Sequence, residues 1–140
     1  MKSSRIPIRT QTLGEEIANS ISHGIGLIAA IVATPFLLVA AVRQGSPWFI
    51  VGASIFAAAM IILYLSSTLY HAIPHPRAKR VLQVFDHITI FLLIAGTYTP
   101  FTLGVMRGAA GWTIFGLVWG LAAVGIVLKI VGGARRAPVL

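Results

Sequence analysis

The chain of 140 residues has no cysteine, only three acidic residues and only 10% charged residues. An average soluble domain has roughly 25%. The absence of cysteine excludes a disulfide-stapled domain and any thiolate metal or redox site. The shortage of charge excludes two classes. A disordered chain needs few apolar residues and many charges, whereas this one is 57% hydrophobic. A soluble domain of this composition would leave too much apolar surface in water. The length suits one domain. What remains is a polytopic membrane protein.

The net charge of +8 does not indicate nucleic acid. Nucleic-acid binders gather basic residues into a patch or stripe. Here they stand in short runs between long apolar segments, as topology signals do.

Four apolar stretches are present, Ser20–Val42, Pro47–Ile73, Val81–Leu103 and Trp112–Val131. Each approaches or exceeds the roughly 20 residues a helix needs to cross about 30 Å of hydrocarbon. Turn and charge signals separate them: Gly45-Ser46-Pro47, Pro74 to Arg80, and Gly104 to Gly108. The runs are continuous rather than alternating, which excludes membrane strands. The expected fold is all-α, a transmembrane bundle over residues 20–131, with a leader at 1–19 and a tail at 132–140. The leader is long and polar and contains Glu15 and Glu16, so no cleavable signal peptide is expected.

The basic residues set an orientation. Lys2, Arg5 and Arg9 precede the first span, Arg77, Lys79 and Arg80 follow the second, and Lys129, Arg135 and Arg136 close the fourth. Only Arg43 and Arg107 fall on the other side. Positive residues stay in the cytoplasm, so both termini and the Pro74–Arg80 connection are expected there, in a cell membrane.

Glu15, Glu16, His23, His71, His75, Asp86 and His87 cluster toward the same ends of the first three spans. Ionisable residues within a membrane cost about 2.5–3.5 kcal/mol near its centre, so they usually have a partner or a function. At 100° per residue, Ser67 and His71 share a face of helix two, with Tyr64 and Met60 nearby. Glu16, Ser20, His23 and Gly24 share a face of helix one, and Asp86, Thr89, Thr97 and Pro100 a face of helix three. These stripes fit either a polar interior or ordinary hydrogen bonds between helices. His71 and His75 have the spacing of a metal clip, but Pro74 and Pro76 should break the helix between them. Gly116 and Gly120 have the spacing of a close helix contact.

The segments Glu15 to Gly24, Ser66-Ser67-Thr68-Leu69-Tyr70-His71, and Asp86-His87-Ile88-Thr89-Ile90 through Gly96-Thr97-Tyr98-Thr99-Pro100 resemble the hemolysin III family, the bacterial branch of the progestin and adipoQ receptors. The resemblance runs from about Thr12 to Lys129. It implies seven transmembrane helices and a zinc site near the cytoplasmic face. His71 matches a zinc ligand. Asp86 matches an acidic partner acting through water, and Ser67 a serine one turn before the ligand; these two are the implied catalytic residues. Two further ligands of the family form a His-x3-His on the seventh helix, which has no counterpart here. The chain is therefore expected to correspond to the N-terminal portion of a family member, to hold half a zinc site, and to be inactive alone. The implied activity is hydrolysis of a lipid amide or ester reached from the bilayer. The alternatives are a cytolytic, pore-forming hemolysin, as the family name suggests, and a membrane receptor without chemistry.

The charge asymmetry makes a direct prediction. A reporter fused after Leu140 should be active only in the cytoplasm. Periplasmic activity there would overturn either the number of spans or the orientation.

Overall fold

The computed structural model describes residues 11–136, with side chains through residue 132. Lys2, Arg5 and Arg9, which entered the orientation argument, lie outside the described residues, as does the tail from residue 137. The described chain is a sequence of four long helices: α1 (Leu13–Arg43), α2 (Pro47–Ala72), α3 (Pro76–Thr99) and α4 (Gly108–Arg136). A π-helical segment, Pro100–Met106, continues α3. No strand occurs among the described residues. All four helices are long and apolar enough to cross a membrane.

Local chemistry sets the boundaries. Thr12 and Glu15 form a reciprocal capping box: the Glu15 N–H donates to Thr12 Oγ1 at 3.3 Å, and the Thr12 N–H donates to Glu15 Oε2 at 2.8 Å. Two of the helix's unpaired donors are satisfied in this way. Helix α1 therefore begins in the segment expected as a leader, and its first turn carries Glu16. Gly45, at φ 70°, turns the chain into Pro47, which opens α2. Helix α2 stops at Ala72 because Ile73 precedes Pro74 and is extended, at φ −95°, ψ 112°. His75 is extended in the same way before Pro76, the first residue of α3. The helix thus ends between His71 and His75, as the prolines require.

Consecutive helices pack on each other, with α2 and α3 central. One end of the bundle holds Glu16, His71 and Lys79. The other holds Arg43, Trp48, Arg107 and Trp112. Apolar contact between helices gains nothing over contact with lipid tails, so association depends on close van der Waals packing and interhelical hydrogen bonds. The buried side chains match that rule: Ala30, Ala53, Ala57, Ala59, Ala95, Ser66, Ser67, Thr89, Thr99 and Thr102. Leu103 is the one large apolar side chain buried among the described residues. Large residues such as Phe36, Leu121 and Leu128 point outward, where lipid would meet them.

Two sequence expectations need correction. Thr97 is exposed and bonds the Leu93 carbonyl of its own helix. The buried face of α3 instead carries Thr89, Ala95, Gly96 and Thr99, because Thr97 lies about 100° round the helix from Gly96. Gly116 and Gly120 do not mediate a contact among the described residues: a Cβ on either would meet nothing within 4 Å. The tight approaches are elsewhere. A Cβ on Gly52 would fall 2.5 Å from Pro100 Cα, and one on Gly96 would fall 3.0 Å from Ala59 Cβ.

This difference predicts a contrast. Gly52→Val should destabilise the bundle by about 1–3 kcal/mol, since backbone rather than a flexible side chain must yield. Gly116→Ala should leave the unfolding midpoint in detergent unchanged. Equal effects from the two substitutions would contradict the packing described.

Candidate functional site

The polar stripe of α1 faces that of α2. Glu16, one turn into α1, is reached from two other helices. His71 Nδ1 lies 2.7 Å from Glu16 Oε2, and Lys79 Nζ lies 2.6 Å from Glu16 Oε1. One carboxylate thereby joins the start of α1, the end of α2 and the first turn of α3. The His71 side chain is 7% exposed, that of Glu16 16% and that of Lys79 27%. These contacts are charge-assisted when both partners are ionised, and such bonds are about twice as strong as neutral ones. Lys79 also stands 5.1 Å above the ring of Tyr70, whose centroid lies 4.7 Å from that of His71.

Two turns along α1, His23 Nδ1 is hydrogen-bonded to Ser67 Oγ. Ser67 is 2% exposed. The His23 ring packs edge-on against His71, with centroids 5.7 Å apart and planes at 81°. Ser67 and His71 occupy one face of α2, as their spacing predicts, and His23 links them from α1.

Asp86 is half-buried on α3. Its carbonyl accepts from Thr89 Oγ1 at 2.9 Å, and that hydroxyl is 3.0 Å from Ser66 Oγ on α2. The turn containing Asp86 is therefore fastened beside the Ser66–Ser67 pair. The hydrogen-bond partner of the His71 side chain is Glu16, not Asp86. The helical spacing places Glu16 on the polar stripe of α1, but its pairing with His71 depends on which turns of α1 and α2 lie level. That register comes from the Gly45 turn and the small residues between the helices, which periodicity within one helix does not report. In the sequence, Lys79 stands out only as a topology signal. His87 turns back to the Gln83 carbonyl of its own helix and takes no part.

Chemically, the cluster combines a buried imidazole oriented by a carboxylate, a second imidazole on a buried hydroxyl, and a carboxylate on the third helix. Among the described residues, no three His, Asp or Glu side chains gather at one metal position. The polar groups bond one another across helix contacts.

The family model for Haemolysin-III related proteins matches residues 11–138. The chain is 52% identical over 119 residues to the hemolysin-3 homolog of Bacillus subtilis, which covers 85% of this chain and 56% of that protein. It is 46% identical over 121 residues to hemolysin-3 of Bacillus cereus, covering 86% and 55%. The chain thus spans about half the length of these curated relatives. No solved structure matches it. The match along nearly all of the chain, carried by four membrane-spanning helices, makes this chain a member of the haemolysin III family.

Proposed function

We propose that the chain contributes the first part of a zinc-dependent membrane hydrolase acting on a lipid amide or ester, with the site at the cytoplasmic face. The observation that supports this is the 2.7 Å contact between His71 Nδ1 and Glu16. An imidazole that donates its Nδ1–H to a carboxylate presents the Nε2 lone pair, and metal-ligating histidines are commonly oriented in this way. Lys79 holds the second oxygen of Glu16, so the carboxylate is itself fixed.

The described residues fit one ligand and its support. Zinc takes three or four protein ligands, and the family resemblance places the remaining two in a His-x3-His beyond the span of this chain. When bound, zinc supplies a Lewis acid that acidifies water at neutral pH. His71 would hold the ion, and Glu16 and Lys79 would keep its ring in one orientation. Asp86 would orient or accept a proton from water. Ser67, held by His23, would supply a hydroxyl one turn away. A lipid substrate would meet the outward apolar surfaces of the helices. The pore-forming alternative is weakened by the mutual pairing of the polar stripes, Ser66 with Thr89 and His23 with Ser67.

The test compares two lengths. The 140-residue chain, with an incomplete ligand set, should bind zinc more weakly than about 1 μM. The full-length Bacillus subtilis homolog should retain zinc through dialysis and hydrolyse a lipid amide or ester. Replacing its histidine that matches His71 with alanine should abolish both, and replacing the glutamate that matches Glu16 with glutamine should weaken zinc binding roughly 10–100-fold. Undiminished hydrolysis without that histidine would refute the proposal. Stoichiometric zinc in the 140-residue chain would redirect the search to His23 and His75. In this chain alone, Glu16→Gln should lower stability by about 1–3 kcal/mol, because the nearly buried His71 loses its charged partner.

A further inference from the structure

The side-chain carboxylates of the chain are Glu15, Glu16 and Asp86. Glu15 and Glu16 begin α1, and Asp86 lies in the first half of α3. At the opposite end of the bundle, Arg43 and Arg107 have no acidic side chain to neutralise them. About 20 residues of helix, roughly 30 Å, separate Asp86 from Arg107.

Arg107 is held in place by two features that local preference disfavours. It is the one non-glycine residue at positive φ among the described residues, at φ 43°, a conformation few side chains adopt without a compensating role. Its Nη2 donates to Ser46 Oγ. Ser46 occupies the N-cap of α2, where serine normally accepts from its own helix, yet it makes no such bond. Its hydroxyl serves the guanidinium instead, from a residue only 9% exposed.

The guanidinium borders a cleft of about 190 Å³ formed with Trp48, Thr102, Leu103, Gly108 and Trp112. The indoles of Trp48 and Trp112 meet edge to face, with centroids 5.6 Å apart, and remain 44% and 52% exposed. Tryptophan is enriched at the headgroup level of membranes. Arginine presents a planar fork of five N–H donors that suits phosphate; one donor group is occupied by Ser46 and the rest are available to a ligand.

We propose that this cleft binds the phosphodiester of a membrane lipid headgroup, with Arg107 on the phosphate oxygens and Trp48 and Trp112 flanking the glycerol. The site is distinct from the Glu16 cluster and lies in the opposite leaflet.

The experiment titrates the purified chain in neutral detergent with phosphatidylglycerol and follows tryptophan fluorescence. The response should saturate. Arg107→Gln should weaken binding roughly tenfold or more, as expected on losing a charge-assisted pair, while Arg43→Gln, which removes the same charge at the same end, should change it less than about twofold. Equal losses from both variants would reduce the effect to diffuse attraction and overturn the site. The same response to inorganic phosphate, at the concentration at which lipid acts, would overturn the lipid assignment in favour of free phosphate. Arg107→Gly, which suits the backbone, should lose lipid binding without a lower thermal midpoint; a lower midpoint with lipid binding intact would show Arg107 to be structural. If Arg107→Gln does not fold, Ser46→Ala keeps the charge and removes the clamp. It should bind several-fold more weakly, and unchanged binding would overturn the proposal.

Discussion

The carboxylate of Glu16 is the contact on which the site depends. In a membrane, helices gain little from apolar contact with one another. Polar contacts between helices therefore weigh more in register than they would in a soluble bundle. Glu16 takes one contact from His71 and one from Lys79. Three helices are level at that point, and the histidine ring has one preferred orientation. Charge, burial and register meet in one side chain.

Around that contact the packing is fine-grained. Ala, Gly, Ser and Thr occupy the positions where helices touch. Their size allows backbones to approach, as where Gly52 meets Pro100. Hydroxyls are satisfied locally: Thr99 donates to the Ala95 carbonyl at 2.8 Å and receives the Trp119 indole N–H at 3.1 Å. That second bond joins α4, whose surface is otherwise mostly exposed, to α3, beside the close approach of Gly125 to Phe91. The same small residues that allow close approach also restrict the registers in which the helices fit.

The helices themselves were legible in the sequence because membrane length and apolarity are one-dimensional properties. So were the breaks at Pro74 and Pro76, and the shared face of Ser67 and His71. What was not legible lies between helices. The helical wheel placed Thr97 with Thr89, but the contact with α2 passes over Gly96 and moves the buried face away from it. Gly116 and Gly120 have the right spacing for a contact, yet among the described residues nothing packs against them. Glu16 was visible as part of a polar stripe. Its pairing with His71 needed the vertical offset of α1 against α2, a quantity that arises from the turn at Gly45 and the interhelical contacts together.

The two ends of the bundle differ in how they treat charge. At the Glu16 end, one carboxylate is shared by Lys79 and His71, which gives the buried imidazole a defined partner. At the Arg107 end the chain has no carboxylate, and a helix cap and an ordinary backbone conformation are given up where Arg107 bonds Ser46 and lines a cleft with Trp48 and Trp112. A protein that simply needed a positive flank for topology could place an arginine on any exposed turn, as it does with Arg43. The positive φ and the diverted cap hold this guanidinium in one place, and that fixed position is the geometric basis of the lipid proposal. The two ends thus differ in chemistry: one shares a carboxylate among three helices, and the other fixes a guanidinium beside a cleft.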